Sequence, residues 1–301
     1  MTTMPKRANL SALLRATASE LHRMLCSPWF AGALMLCLLL VAASALLNDM
    51  SYREWYGYAL GNPSKGYGME SRFMVNYWVG TDRKPSSGAL YFLLPILCLL
   101  PGAGSLVEER FSGYIQHALV RMHDCEYYVA KAIACFISAG LVALIPLCAS
   151  ILLAAMIAPY GIPDPISYAF LAVPISHLTP FRELYFTAPM MFLLVWTCAA
   201  FLFSGLWAGA VLGASLFVAS PVKLYLGAFA AQLLINYASM SLGKLLAHET
   251  SRSMDLFTLT VPTGYEEGIT SLEAMTASIV LYLGCAVILP VLFFRRRCYL
   301  R

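Results

Sequence analysis

Charge is what this chain has least of. Of 301 residues, 12% are Asp, Glu, Lys or Arg and 60% are hydrophobic, where a soluble domain carries about 25% charged residues. That excludes an ordinary water-soluble globule. The net charge is only +4, and the basic residues gather towards the two ends. No basic stripe interleaved with aromatics is present, so nucleic acid is not an expected partner. The phosphate-cradling pattern G-x-x-x-x-G-K-S/T is absent; GNPSKGYG at 61–68 does not fit it. No secretory leader is expected, because the first apolar run begins near residue 28 without a small-residue cleavage site followed by a soluble domain. The centres of the apolar runs lack Asp, Glu and Arg, which argues against a proton-coupled carrier. Neither an internal repeat nor a low-complexity segment is seen.

What the chain does have is long apolar runs. A helix crosses a bilayer with about 20 apolar residues, and only helices or closed barrels satisfy the backbone there. The runs exceed the length of barrel strands, so helices are expected. Six spans follow, at about 29–47, 89–107, 132–158, 186–217, 223–242 and 274–294. Ser27 and Pro28 precede the first as N-cap and first helical residue. Ser220-Pro221 and the lone Lys223 divide the long tract from Leu184 to Leu242 at a tight turn near 218–222.

Basic residues near span ends set orientation. With the N-terminus inside, inner segments hold 12 Lys and Arg, among them Arg295, Arg296 and Arg297, and outer segments hold eight. All nine cysteines fall in spans or inner segments, so an outer disulfide within the chain is not expected. The outer segment 48–88 carries Trp55, Tyr56, Tyr58, Tyr67, Tyr77 and Trp78. These suit a headgroup belt, although loops beyond about 12–15 residues are often functional. Segment 159–183 is proline-rich, and 244–273 holds five acids.

The most polar interior stretch is EERFSGYIQHALVR, Glu108 to Arg121. After Glu109 the apolar residues Phe111, Tyr114, Ile115, Ala118, Leu119 and Met122 recur at i, i+3, i+4, i+7, i+8 and i+11, one face of an α-helix. Ser112, Gln116, His117 and Arg121 lie opposite. Pro101-Gly102-Ala103-Gly104 should break or bend the second span, and Ser105 with Glu108 fits a capping box. Glu108 and Glu109 then meet the favourable end of the helix dipole. The segment from Glu108 to Lys131 has four acidic and three basic residues, whereas lipid-surface helices carry basic polar faces. Docking into a protein groove is the stronger expectation. A second amphipathic helix, with Leu10, Leu13, Leu14, Thr17, Leu21, Met24 and Leu25 on one side and Arg15, His22 and Arg23 on the other, suits an anionic inner leaflet.

These features resemble the type-2 ABC transporter permeases, the membrane subunits of many bacterial exporters. That family has a cytoplasmic elbow helix, six spans, and a short coupling helix between spans two and three. EERFSGYIQHALVRMHDCEYYVAK is similar to its second-span end, with Tyr128 and Lys131 leading into span three, and Gly205 to Leu234 resembles its span four, turn and span five. The 41-residue loop 48–88 is longer than the family's minimal form. The resemblance implies an all-α membrane protein of the bacterial plasma membrane with both termini cytoplasmic. Two permeases, identical or different, would pair with two copies of a separate ABC ATPase subunit, which would bind the ATP and magnesium. This chain would bind no cofactor and would not itself be an enzyme. Glu108, Glu109, Phe111, Tyr114, Ile115, Ala118, Leu119 and Arg121 would form the ATPase-coupling helix. The exported substrate would be amphipathic: a drug, a lipid or an antimicrobial peptide.

Three other patterns carry expectations. Gly205, Gly209 and Gly213 form a small-residue ridge for close helix packing. Gln232, Asn236 and Ser239 place polar groups at membrane depth, either lining a path or joining helices. His117, His123 and Glu126 make a weak metal pattern, and H-E-x-x-H is absent. The Glu108-Glu109 pair resembles that of CAAX-type intramembrane proteases, but Gly113 stands where their Arg falls and no His-x-x-x-Asn follows. A membrane protease is therefore a remote alternative. A signalling or immunity subunit driven by an ATPase without net transport is a nearer one.

Overall fold

A computed structural model of the chain describes residues 10–61, 73–82, 84–115, 124–163, 179–247, 254–262 and 271–299. Regular structure among them is helical. In chain order the helices are α1 (Leu10–Leu25), α2 (Pro28–Gly61), α3 (Pro85–Leu97), α4 (Ser105–Ser112), α5 (Asp124–Ile157), α6 (Arg182–Thr187), α7 (Pro189–Ala214), α8 (Pro221–Ala247), α9 (Leu256–Leu259) and α10 (Leu272–Tyr299), with a single 3₁₀ turn at Met74–Asn76. Ser27 caps α2 as expected: its Oγ accepts from the Trp29 N–H at 3.1 Å, with Pro28 opening the helix.

Among the described residues, four helices are long and apolar enough to cross a membrane: Pro28–Tyr58, Cys125–Ile157, Pro189–Ala214 and Leu272–Phe294. Their outward faces carry bare apolar side chains, including Leu39 and Leu46 on α2, Leu152 and Met156 on α5, and Val280 and Val287 on α10. Such a surface fits lipid and is unusual in water. α7 is the central element, packed against α5 and α10, and α5 in turn packs against α1 and α2.

Of the two remaining expected spans, span two takes another form and span five is the single helix α8. The run 89–107 is not one helix. α3 ends at Leu97, and turns occupy 98–104 before α4 begins. Thirteen residues rise about 20 Å, short of a hydrocarbon core of about 30 Å. The cause is local. Pro95 removes a ladder donor, and Pro101-Gly102 prevents the helix from resuming. The Pro95 carbonyl, left near the helix end, accepts from the Trp207 indole at 3.1 Å. α8 is long enough to span, but Lys223, Gln232 and Asn236 dilute its apolar character, and it is not among the four.

The described parts of segment 48–88 contain regular structure and packed side chains. α2 continues through it to Gly61, with an Arg53–Asp49 pair one turn apart on its surface. Trp78 is fully buried, and its indole faces the Leu147 carbonyl at 3.4 Å. Tyr77 is buried too, whereas Tyr56 and Tyr58 are exposed and Tyr67 lies outside the described residues. Trp78 is thus a core residue and does not belong to a headgroup belt. Asp82 pins this segment to α2 by accepting from Ser44 and Asn48.

Candidate functional site

The polar stretch after the 98–104 turns is built differently from an unbroken amphipathic helix. α4 stops at Ser112, and Gly113 follows with φ 73°, a left-handed cap that suits glycine. The chain re-enters helical conformation at Tyr114 and Ile115. The expected capping box does not form: Gly104 is the N-cap, and the Ser105 hydroxyl bonds back to the Gly102 carbonyl at 2.6 Å. Ser105 therefore closes the preceding turn and leaves the α4 amides uncapped by a side chain.

Adjacent residues of α4 grip different parts of the molecule. Glu109 is buried and pairs with Lys131 of α5 and Arg23 of α1. It also accepts from the Tyr127 hydroxyl at 2.6 Å. Lys131 has no exposure to solvent and lies 3.6 Å from Glu20 of α1 as well. The four charges Glu20, Arg23, Glu109 and Lys131 sum to zero, as a buried network requires. Burial alone would raise the Glu109 carboxyl, but Lys131, the Tyr127 hydroxyl and Arg23 outweigh it and hold the group below the ordinary carboxylate value. Arg110 turns the other way. Its guanidinium donates to the carbonyls of Ser215, Leu216 and Val218, just past the end of α7. These are the carbonyls of the C-cap residue and of the turn beyond it, where a cation complements the negative end of the α7 dipole.

The sequence-derived stripe divides accordingly. Phe111 is 72% exposed, Tyr114 is exposed with its ring under Arg23, and Ile115 packs partly against the core. Glu108 is exposed beside the buried Glu109. Ala118, Leu119 and Arg121 lie outside the described residues, as do His117 and His123 of the metal pattern. α1 buries Met24 and packs Leu21 and Leu25 on the core, while Leu14 is exposed. Glu20, Arg23, Tyr127 and Lys131 had no assigned part in this site from sequence. The signal for Lys131 was a lone lysine inside an apolar run, with four acids in the preceding segment.

The glycine ridge of α7 meets two neighbours. A Cβ on Gly205 would come within 2.8 Å of the Phe136 carbonyl of α5. Gly209 and Gly213 face α10 at Ala286 and Cys285. All three approaches are within this chain.

Gln232, Asn236 and Ser239 share one face of α8, and a segment of this chain occupies it. Gln232 Oε1 accepts from the Leu256 N–H at 2.9 Å, and its Nε2 donates to the Tyr282 hydroxyl at 3.3 Å. Ser239 Oγ accepts from the Met254 N–H at 3.4 Å. Tyr282 and Ser278 of α10 both donate to the Met254 carbonyl, at 3.0 and 3.1 Å. Asp255 is fully buried, caps α9 by accepting from the Thr258 N–H at 3.1 Å, and takes a hydrogen bond from Asn236. Burial raises its carboxyl, and these hydrogen bonds only partly oppose the shift. Phe257 stacks on Phe92 of α3 with centroids 5.5 Å apart.

Neither a family model, nor a curated protein, nor a solved structure matches this chain.

Proposed function

We propose that the chain is the membrane subunit of an ATP-driven exporter, moved through α4 by a separate ATPase. The supporting observation is the juxtaposition on one two-turn helix of an exposed Phe111 with Glu109 and Arg110. Force applied at Phe111 passes through Glu109 to α1 and α5, and through Arg110 to the turn between α7 and α8. The exported substrate is an amphipathic compound, on the strength of the family resemblance and the apolar helices.

The test is a variant at Phe111. Ile115 is partly buried, so charging it would disturb packing; Phe111 is exposed and avoids that. The tagged chain from its native membrane should co-purify an ABC ATPase whose ATP hydrolysis supports substrate uptake into inverted vesicles. Phe111→Asp should insert and melt normally yet lose both the ATPase and the uptake. Normal uptake by that variant, or the absence of any ATPase from the wild-type preparation, refutes the coupling role.

A second reading is favoured by the occupied face of α8. Gln232, Asn236 and Ser239 hold segment 254–258, so the polar groups at membrane depth join elements of the chain. A signalling or immunity subunit that changes shape without transport would use them so. ATP hydrolysis without vesicle uptake of any amphipathic substrate separates this reading from the first.

A further inference from the structure

α4 closes one side of a cleft whose other walls are the end of α1, the start of α2, Leu100 and Pro101 of the preceding turns, and Tyr225 near the start of α8. The cleft has a volume of about 430 Å³, within the roughly 300–1,000 Å³ of small-molecule sites. Trp29, Tyr114 and Tyr225 line it together with Arg23 and Glu108.

Three charged residues line the cleft, Arg23, Glu108 and Glu109, and Glu109 is taken up by Lys131, Arg23 and the Tyr127 hydroxyl. Arg23 is already neutralised: it pairs with Glu20 and Glu109, and its guanidinium lies 5.7 Å from the Tyr114 ring centroid. Glu108 is exposed to the cleft and makes no ion pair among the described residues. The cleft thus offers a carboxylate beside aromatic rings, with its one cation consumed. Tyr225 is held in place by a hydrogen bond between its hydroxyl and the Gly104 backbone. Trp29 stands 62% exposed in the first turn of α2, where the apolar face with Met35 and Leu39 begins. A cation over an aromatic face gains from the ring quadrupole, and a neighbouring carboxylate adds the counter-charge.

We propose that this cleft binds the head of an alkylammonium compound, with Glu108 as counter-ion, Trp29 and Tyr225 as the aromatic wall, and the alkyl tail running along α2. The head belongs either to a lipid with an ammonium headgroup or to a free amphipathic amine. The site needs no partner subunit, so its test is independent of the coupling reading.

The full chain, in nanodiscs of phosphatidylglycerol, whose headgroup lacks an amine, is titrated with hexyltrimethylammonium by calorimetry. Saturable binding is expected, weakened at least ten-fold by Glu108→Gln and by Trp29→Ala, with none for hexyl sulfate. Both side chains are exposed, and unchanged thermal melts show that the fold survives. Undiminished binding in Glu108→Gln, or equal binding of hexyl sulfate, overturns the proposal. Repeating the titration in phosphatidylcholine names the source. Competition by the lipid supports a headgroup site, and undisturbed binding supports a free amine; either result retains the ammonium site.

Discussion

Lys131 and Glu109 form an ion pair across 22 positions of sequence, and the lysine has no exposure to solvent. The pair joins α5 to α4, and Arg23 extends it to α1. Removing one member leaves the buried network with a net charge, at a cost of up to about 3–5 kcal/mol. Lys131→Met and Glu109→Gln should each lower the melting temperature in detergent sharply. The double variant leaves Glu20 and Arg23 paired and balanced, so it should be less destabilised than the sum of the singles. Additive losses in a double-mutant cycle would show that the two groups do not interact.

The same pair sets an acid limit. The Glu109 carboxyl is held below its ordinary value of about 4.3. Its contribution is therefore complete above that ordinary value and is lost as pH falls through the lower, folded value. Melts recorded from pH 7 to pH 3 should steepen in that acid window for the wild type. Glu109→Gln should flatten the slope there while lying below the wild type at neutral pH. An identical acid slope in the variant would place the acid-sensitive group elsewhere.

Much of the fold was legible because apolar length and proline position are local properties. α2, α5, α7 and α10 follow from run length, and Ser27-Pro28 marks a helix start for reasons within two residues. What was hidden depends on distant partners. Glu108 and Glu109 are adjacent and chemically alike. Only the position of Lys131, brought in by the packing of α5 on α1, decides that Glu109 turns inward. The apolar stripe from Phe111 to Leu119 has good helical spacing, yet Gly113 interrupts it, because a glycine in the left-handed region ends a helix whatever the apolar period says. The polar face of α8 could be read at i, i+4 spacing. That Met254 to Leu256 would fill it could not, since that segment reaches α8 only through tertiary contacts with α3 and α10.

The glycines of α7 make a graded prediction. At Gly205 a methyl group would lie 2.6 Å from the Phe136 ring and 2.8 Å from its carbonyl, and backbone cannot give way cheaply. Gly205→Ala should cost about 1–3 kcal/mol as overpacking. At Gly209 the nearest atom is the Ala286 Cβ at 3.8 Å, an ordinary contact. Gly209→Ala should be neutral or stabilising, since alanine favours a helix over glycine by about 1 kcal/mol. Melting temperatures of the two variants check the order, and a reversed order would contradict the packing of α7 between α5 and α10.

Asp255 tests whether the segment on α8 is a latch with a pH limit of its own. Its carboxyl is fully buried and raised by that burial, so the protonated form suits the folded state. The sign is opposite to that of Glu109: the contribution is complete below the ordinary carboxylate value and is lost as pH rises through the raised one. Asn keeps a cap for the Thr258 N–H without the charge, whereas Ala removes the cap at about 1 kcal/mol. Asp255→Asn should therefore hold or increase the protection of Leu256 and Thr258 amides against hydrogen exchange at neutral pH, and should remove the weakening with rising pH. Asp255→Ala should lower that protection at every pH. A wild-type segment whose protection, corrected for intrinsic exchange, does not weaken as pH rises above the ordinary carboxylate value while the Asn variant is less protected would mean that the charged carboxylate is the form the fold prefers, and that the latch is fastened by charge.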